Sequence, residues 1–219
     1  MGKATVVIPN YNGMKFIKEC LESLLAQDIP PSEYCVIVVD NGSTDGSRQL
    51  IEDTFPGVSL IALPVNTGFC HAVNVGIRAA KTPYVILLNN DTKVHPHFVG
   101  ALCGALDARP EAFSISARMR MWDDQDLLDD AGDRYCALGW AYARGKGLPA
   151  ARYQTPAEIF SACGGAAIYR KSVLKEIGLF DESHFAYLED LDIGWRARIY
   201  GYRSFYEPGA EVIHYGSAS

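Results

Sequence analysis

The chain has 219 residues, 48% of them hydrophobic and 21% charged, and a net charge of −6. That length suits one large domain or two lobes sharing a core. The acidic balance argues against a nucleic-acid partner, which needs a basic face, and leaves room for a phosphorylated small molecule held through a metal.

Ala4–Pro9 is a short apolar run that predicts a strand stopped by proline. After the turn Asn10-Tyr11-Asn12-Gly13, residues Ile17, Cys20, Leu21, Leu24 and Leu25 recur with helical spacing and predict an amphipathic helix. Tyr34–Val39 reads as a second strand ending in Asp40, followed by a helix through Phe55. Val58–Leu63, a helix over 68–80 and the strand Tyr84–Leu88 continue the alternation. Strands and helices joined by short connections predict right-handed βαβ units on a mainly parallel sheet. The predicted strand ends carry Asn10, Asp40, Asn66, Asn90 and Asp91, which places polar groups along one edge, where open α/β sheets bind ligands.

The second half is less regular. A helix over 96–108, a strand over 113–121, a strand over 159–169 crossing Gly164-Gly165, a short helix over 172–178, a helix over 189–200 and two short strands at 203–206 and 211–215 are expected. Residues 122–157 show weak periodicity and read as a long irregular excursion, its acid-rich part a solvated loop or an acceptor lid. The six cysteines form no CxxC pair and read as free thiols in a reducing cytoplasm. No apolar run approaches the roughly 20 residues that cross a bilayer, and Met1-Gly2-Lys3 leads straight into the first strand, so no signal peptide or membrane span is expected.

Four groups of residues carry chemistry. Asp40 at a strand end can accept hydrogen bonds from a nucleobase or ribose, or cap the next helix. Asn89-Asn90-Asp91 offers oxygen ligands to Mg2+ or Mn2+, or forms an Asx turn. Glu189, Asp190 and Asp192 open a helix, either as partners of its dipole or to supply a general base; Glu189 and Asp192 share a helix face while Asp190 points elsewhere, so at least one of the three faces away. His214 follows an apolar pair and is structural or a ligand. Neither GxGxxG nor GxxxxGK[ST] is present.

The order of the motifs is more specific than any one of them. Val6-Val7-Ile8-Pro9-Asn10-Tyr11-Asn12, Val38-Val39-Asp40-Asn41-Gly42-Ser43, Asn66-Thr67-Gly68-Phe69, Asn89-Asn90-Asp91-Thr92, Gly164-Gly165-Ala166, the run Leu188-Glu189-Asp190-Leu191-Asp192 ahead of Trp195-Arg196, and His214 together resemble family 2 glycosyltransferases of the GT-A fold, from Thr5 to Ser217. The resemblance implies a Rossmann-like, mainly parallel sheet flanked by helices: residues 1–93 the nucleotide-sugar half, 94–219 the less regular acceptor and catalytic-base half of one continuous domain. It implies that Pro9, Asn10 and Tyr11 line the nucleotide pocket, that Asp40 meets base or ribose, and that Asn66, Gly68 and Asn90 lie beside the nucleotide-sugar. Asp91 and His214 are then metal ligands for Mg2+ or Mn2+, and Asp190, beside Glu189, the general base. Asn89 replaces the first acid of the family's DxD motif and removes one charge from that site.

The expected reaction is inverting, metal-assisted sugar transfer from a nucleotide-diphosphate donor, dTDP-rhamnose or a UDP-sugar, to a saccharide or lipid-linked acceptor in cell-surface polysaccharide synthesis. The expected location is cytoplasmic, at the inner membrane face, with peripheral association through a missing C-terminal region. Two other readings stand beside it. A sugar-nucleotide nucleotidyltransferase needs a basic glycine-rich loop, and residues 9–16 carry only Lys15. A non-catalytic nucleotide-sugar-binding fragment sits poorly with an intact Asp91, Asp190 and His214.

Overall fold

The computed structural model describes residues 2–216; Met1 and residues 217–219, among them Ser217 where the resemblance ends, lie outside it. In chain order the elements are β1 (Ala4–Asn10), α1 (Ile17–Leu25), β2 (Tyr34–Asn41), α2 (Ser47–Thr54), β3 (Ser59–Leu63), α3 (Phe69–Ala79), β4 (Tyr84–Leu88), β5 (Thr92–Val94), α4 (Phe98–Asp107) and β6 (Ala112–Met121). There follow β7 (Leu128–Asp130), β8 (Asp133–Tyr135), β9 (Ala141–Ala143), a 3-10 turn at Ala150–Arg152, β10 (Ala157–Ile159), β11 (Ala166–Arg170), α5 (Lys171–Ile177), α6 (Glu189–Ile199) and β12 (Arg203–His214).

The strands are apolar on both faces because both faces are covered. Val6, Ile8, Val36, Val38, Ile86 and Leu88 point to one core, built with Ile17, Cys20, Leu21 and Leu24 of α1 and Phe98, Leu102 and Leu106 of α4. The alternate residues Val7, Ile37, Val39, Val85 and Leu87 point to the other, with Val73 and Ile77 of α3, Leu174 of α5 and Ile193 of α6. Each fully buried aliphatic side chain stabilises this three-layer arrangement by about 1.5–3 kcal/mol. Leu25, read as part of the α1 stripe, is exposed at the end of that helix.

The sheet runs β10-β12-β6-β11-β4-β1-β2-β3. β3, β2, β1 and β4 are parallel neighbours, so their C-terminal ends share one edge, as the polar strand ends predict. β11 enters antiparallel between β4 and β6. β12 then runs parallel to β6.

Four elements differ from the sequence reading. The strand expected over 159–169 is two strands, because the chain turns at Gly164-Gly165 between β10 and β11. The two strands expected after residue 203 are one, β12, with an irregularity between Glu207 and Glu211 around Pro208, which cannot donate to the ladder. β5, three residues long, carried no readable pattern and exists because β12 pairs with it. Residues 122–157 hold β7 against β6 and a β8–β9 hairpin, so the excursion is partly ordered by pairing.

Candidate active site

The polar edge formed by the strand ends is built around Asn10, buried at the end of β1. Its amide nitrogen reaches Asp40 Oδ1 at 3.1 Å, Ser43 Oγ at 3.3 Å and Ser47 Oγ at 3.0 Å, and its Oδ1 accepts from Asn90 Nδ2 at 2.9 Å. Asp40 is 1% exposed and also accepts from the Ser43 amide at 3.2 Å. It closes the turn after β2 and bonds no amide of α2's first turn. Pro9 is half-buried, and Tyr11 stands 44% exposed above this network. Asn66 Oδ1 accepts from Asn41 Nδ2 and from the Gly68 amide, both at 3.0 Å. Gly68 has φ +85, and a side chain there would strike Phe185. The Phe69 amide donates to the Phe185 carbonyl at 2.8 Å, so this polar edge touches the segment leading into α6.

Asp91 follows β4 and is 4% exposed. The register His214↔Thr92 between β12 and β5 sets the histidine beside it, with Nε2 3.3 Å from Asp91 Oδ1. The imidazole's Nδ1 lies 2.7 Å from Asp129 Oδ2. Burial alone would lower the His214 pKa, but hydrogen bonds to Asp129 and Asp91 outweigh it and raise it to about 9. Burial likewise pushes Asp129 up, and its bonds to His214 and Lys146 hold it below the usual carboxylate range. Tyr215 seals this corner: its amide donates to the Asp91 carbonyl at 3.0 Å, its ring stacks on Trp122 at 3.9 Å, and its hydroxyl bonds Glu19.

Among the described residues, no three His, Cys, Asp or Glu side chains gather as a ready metal cage. A carboxylate and an imidazole 3.3 Å apart still match what Mg2+ or Mn2+ asks of a protein, since these ions keep waters and substrate phosphates in their shell. Asp91 and His214 would hold such an ion, and the donor set fits it.

The α6 acids separate by environment. Asp192 turns to the surface and pairs with Arg196 at 2.6 Å, so it, and not Asp190, is the member that faces away, while Glu189 is buried beside Asp190 rather than sharing a site with Asp192. Asp190 accepts from the Leu191 amide at 2.8 Å and from the Gly164 amide at 3.5 Å. Burial raises its pKa despite those bonds. Burial, reinforced by Asp190, raises that of Glu189 to about 7, and Glu189 Oε2 has no hydrogen-bond partner among the described residues. The Gly164-Gly165 turn joins the two centres, because the Gly165 carbonyl accepts from the Asn89 amide at 2.9 Å.

Sequence reasoning missed Asp129, Asp130 and Asp133. All three fall in the excursion read as a solvated loop or lid, yet Asp130 is buried, and burial raises both it and Asp133, with Asp190 adding to the shift at each. Their spacing offers no periodic signal; only the pairing of β7 with β6 and the Asp133–Ser161 bridge bring them inward.

Comparison with known proteins decides the family. The family model Glycosyl transferase family 2 matches residues 5–178. The chain belongs to glycosyl transferase family 2. Within family 2 it is similar to the N-acetylglucosaminyl-diphospho-decaprenol L-rhamnosyltransferase of Mycobacterium tuberculosis, 31% identical over 98% of this chain and 76% of that one. It is also similar to the poly-beta-1,6-N-acetyl-D-glucosamine synthase of Staphylococcus epidermidis, 25% identical over 91% of this chain and 47% of that one. GalNAc-T7, solved with UDP, GalNAc and Mn2+, superposes with a TM-score of 0.81 at 14% identity, over 98% of this chain and 44% of that one. The mannosyltransferase PcManGT from Pyrobaculum calidifontis, solved with GDP-Man and Mn2+, gives 0.72 at 21% identity, over 97% of this chain and 56% of that one. These likenesses establish the GT-A glycosyltransferase fold for this family 2 chain, which spans about half the length of several of these proteins. No helix among the described residues is long and apolar enough to cross a membrane.

Proposed function

We propose that this glycosyltransferase moves a sugar, with inversion, from a nucleotide-diphosphate donor to a saccharide or lipid-linked acceptor of cell-surface polysaccharide. The observation that carries the reading is the Gly164-Gly165 turn, whose backbone reaches Asn89 on one side and Asp190 on the other. A strand end suited to diphosphate and a buried carboxylate suited to proton removal thus lie one turn apart. Residues 1–93 then form the donor half and residues 94–219 the acceptor half of one domain.

Asp40, Asn10, Pro9 and Tyr11 surround the nucleoside, and Asn66, Gly68 and Asn90 border the diphosphate-sugar. Asp91 and His214 hold a divalent cation, Mg2+ or Mn2+, which when bound neutralises charge on the leaving diphosphate as a Lewis acid. Asp190 accepts the proton of the acceptor hydroxyl as that oxygen attacks the anomeric carbon from the face opposite the diphosphate. Burial makes Asp190 a stronger base than an exposed carboxylate. No covalent enzyme intermediate is required. The similarity to a mycobacterial L-rhamnosyltransferase favours dTDP-rhamnose over a UDP-sugar as donor, and a prenyl-diphosphate-linked saccharide as acceptor.

The test is incubation with dTDP-rhamnose or UDP-sugars and a prenyl-diphosphate-linked N-acetylglucosamine, with the product's anomeric configuration read by NMR. A product of inverted configuration is expected, and Asp190→Asn should lower its formation by about 10²–10⁴-fold while donor affinity holds. Near-wild-type turnover in Asp190→Asn would sink the base assignment. Pyrophosphate release from a nucleoside triphosphate, with no sugar transfer, would replace the whole reading by nucleotidyl transfer.

A further inference from the structure

Asp129 has no part in the reaction just described, yet both of its oxygens are held beside it. Its Oδ2 lies 2.7 Å from His214 Nδ1, and its Oδ1 lies 3.0 Å from Lys146 Nζ. Its side chain is mostly buried. Two strand pairings bring it there: β7 on β6 through Met119↔Asp130, and β12 on β6 through His214↔Met121. His214 is therefore gripped at Nδ1 and offers Nε2 toward Asp91. An imidazole whose Nδ1–H donates to a carboxylate has its ring fixed, and a cation that displaces the Nε2 proton shared with Asp91 would meet the Nε2 lone pair already aimed, as in metal-ligating histidines generally.

We propose that Asp129 is a positioning residue for the cation site, fixing the tautomer and ring plane of His214, with Lys146 holding Asp129 in place. The inference rests on the reading that Asp91 and His214 hold a divalent cation. A carboxylate that merely stitched β7 to β12 would need only one partner, whereas Asp129 meets the histidine and a lysine with separate oxygens. The Gly145-Lys146-Gly147 turn supplies that lysine, and Gly145 and Gly147 both have positive φ, which glycine adopts without strain.

The experiment is a Mn2+ titration followed by electron paramagnetic resonance, on the full chain alone and with saturating dTDP or UDP. Asp129→Asn is expected to raise the Mn2+ dissociation constant by about 10–100-fold. Nucleotide affinity measured in chelator should stay unchanged. Asp129→Glu keeps the charge and should restore part of the loss. Wild-type Mn2+ affinity in Asp129→Asn overturns the proposal, whatever happens to its melting temperature. Where Asp129→Asn does not fold, Asp129→Glu decides: a weakened Mn2+ affinity supports the proposal and an unchanged one overturns it. Asp91→Ala separates the two layers of the argument. Loss of Mn2+ binding there, beside intact binding in Asp129→Asn, rejects the positioning role alone; intact Mn2+ binding in Asp91→Ala rejects the cation site and the positioning role with it.

Discussion

At the scale of single residues, the proposed donor edge depends on a position with no side chain. A Cβ on Gly13 would collide with Asn10 Oδ1 and Asn90 Nδ2. Those amides cannot swing away freely, because Asn10 is held by Asp40, Ser43 and Ser47 as well as by Asn90. Gly13→Ala is therefore expected to cost about 1–3 kcal/mol of stability, as overpacking of a filled site does. It should weaken nucleotide binding as well, since the same amides border the proposed pocket. Thermal melts and a nucleotide titration check both; wild-type values in each would show that the amide pair yields. The sequence marks Gly13 only as a turn residue, because the Asn90–Asn10 bond it makes room for joins positions 80 residues apart along the chain.

At the scale of elements, α3 is tied to the approach to α6 by one carboxylate. Glu182 accepts from Asn74 Nδ2 at 2.9 Å and Arg78 Nη2 at 3.1 Å, and lies 2.7 Å from His71 Nδ1. The Asn74 bond, then His71, holds its pKa at about 2, far below the ordinary 4.5. Three residues after this anchor the chain meets Gly68, and Tyr187 and Leu188 then take φ of 73 and 67 before α6 begins. Left-handed backbone at two successive non-glycine residues costs free energy that neighbouring contacts must offset. Because the folded-state pKa is depressed, the stability Glu182 contributes is fully present above its unfolded value and is lost as pH falls through about 2. Its side chain is 38% exposed, so solvent screening keeps the effect small. Glu182→Gln should melt below wild type at neutral pH, and the gap should close as pH drops from about 4.5 toward 2. A gap independent of pH would assign the loss to the hydrogen bonds rather than to charge.

At the scale of the whole molecule, folding assembles a buried acidic cluster from segments that are distant in sequence. Asp130 and Asp133 come from the 122–157 excursion, Glu189 and Asp190 from α6, and burial raises all four. Raised acids hold protons in the folded state that the unfolded chain has released. Stability is then fully present at pH values below the ordinary carboxylate range and falls as pH rises through the folded values, which for Glu189 is about 7. Asp133 accepts a hydrogen bond from Ser161 at 3.2 Å and has no charge-paired partner among the described residues. Asp133→Asn is thus expected to melt like wild type only at pH values below the ordinary 3.8, and above it by a margin that grows to several degrees as pH rises toward about 8. Melting curves across that range decide it; a variant less stable than wild type at alkaline pH would show that the ionised carboxylate is favoured where it sits.

The parallel half of the fold was legible because its signals are local. Runs of four to eight apolar residues ending in amides or acids, and helical stripes such as Ile17, Cys20, Leu21 and Leu24, need only neighbouring residues to be read. Motif order likewise singled out Asp91, Glu189, Asp190 and His214 as candidates, and showed that Asn89 leaves the strand end short of one charge. Pairing decided the rest. β5 exists only through β12, and the register of those two strands, not any spacing in the chain, sets His214 against Asp91. Asp129, Asp130 and Asp133 read as solvated acids because burial depends on what β6 and Ser161 bring over them. Composition and periodicity thus determine which side chains are available at the edge of this sheet; long-range strand register determines which of them meet.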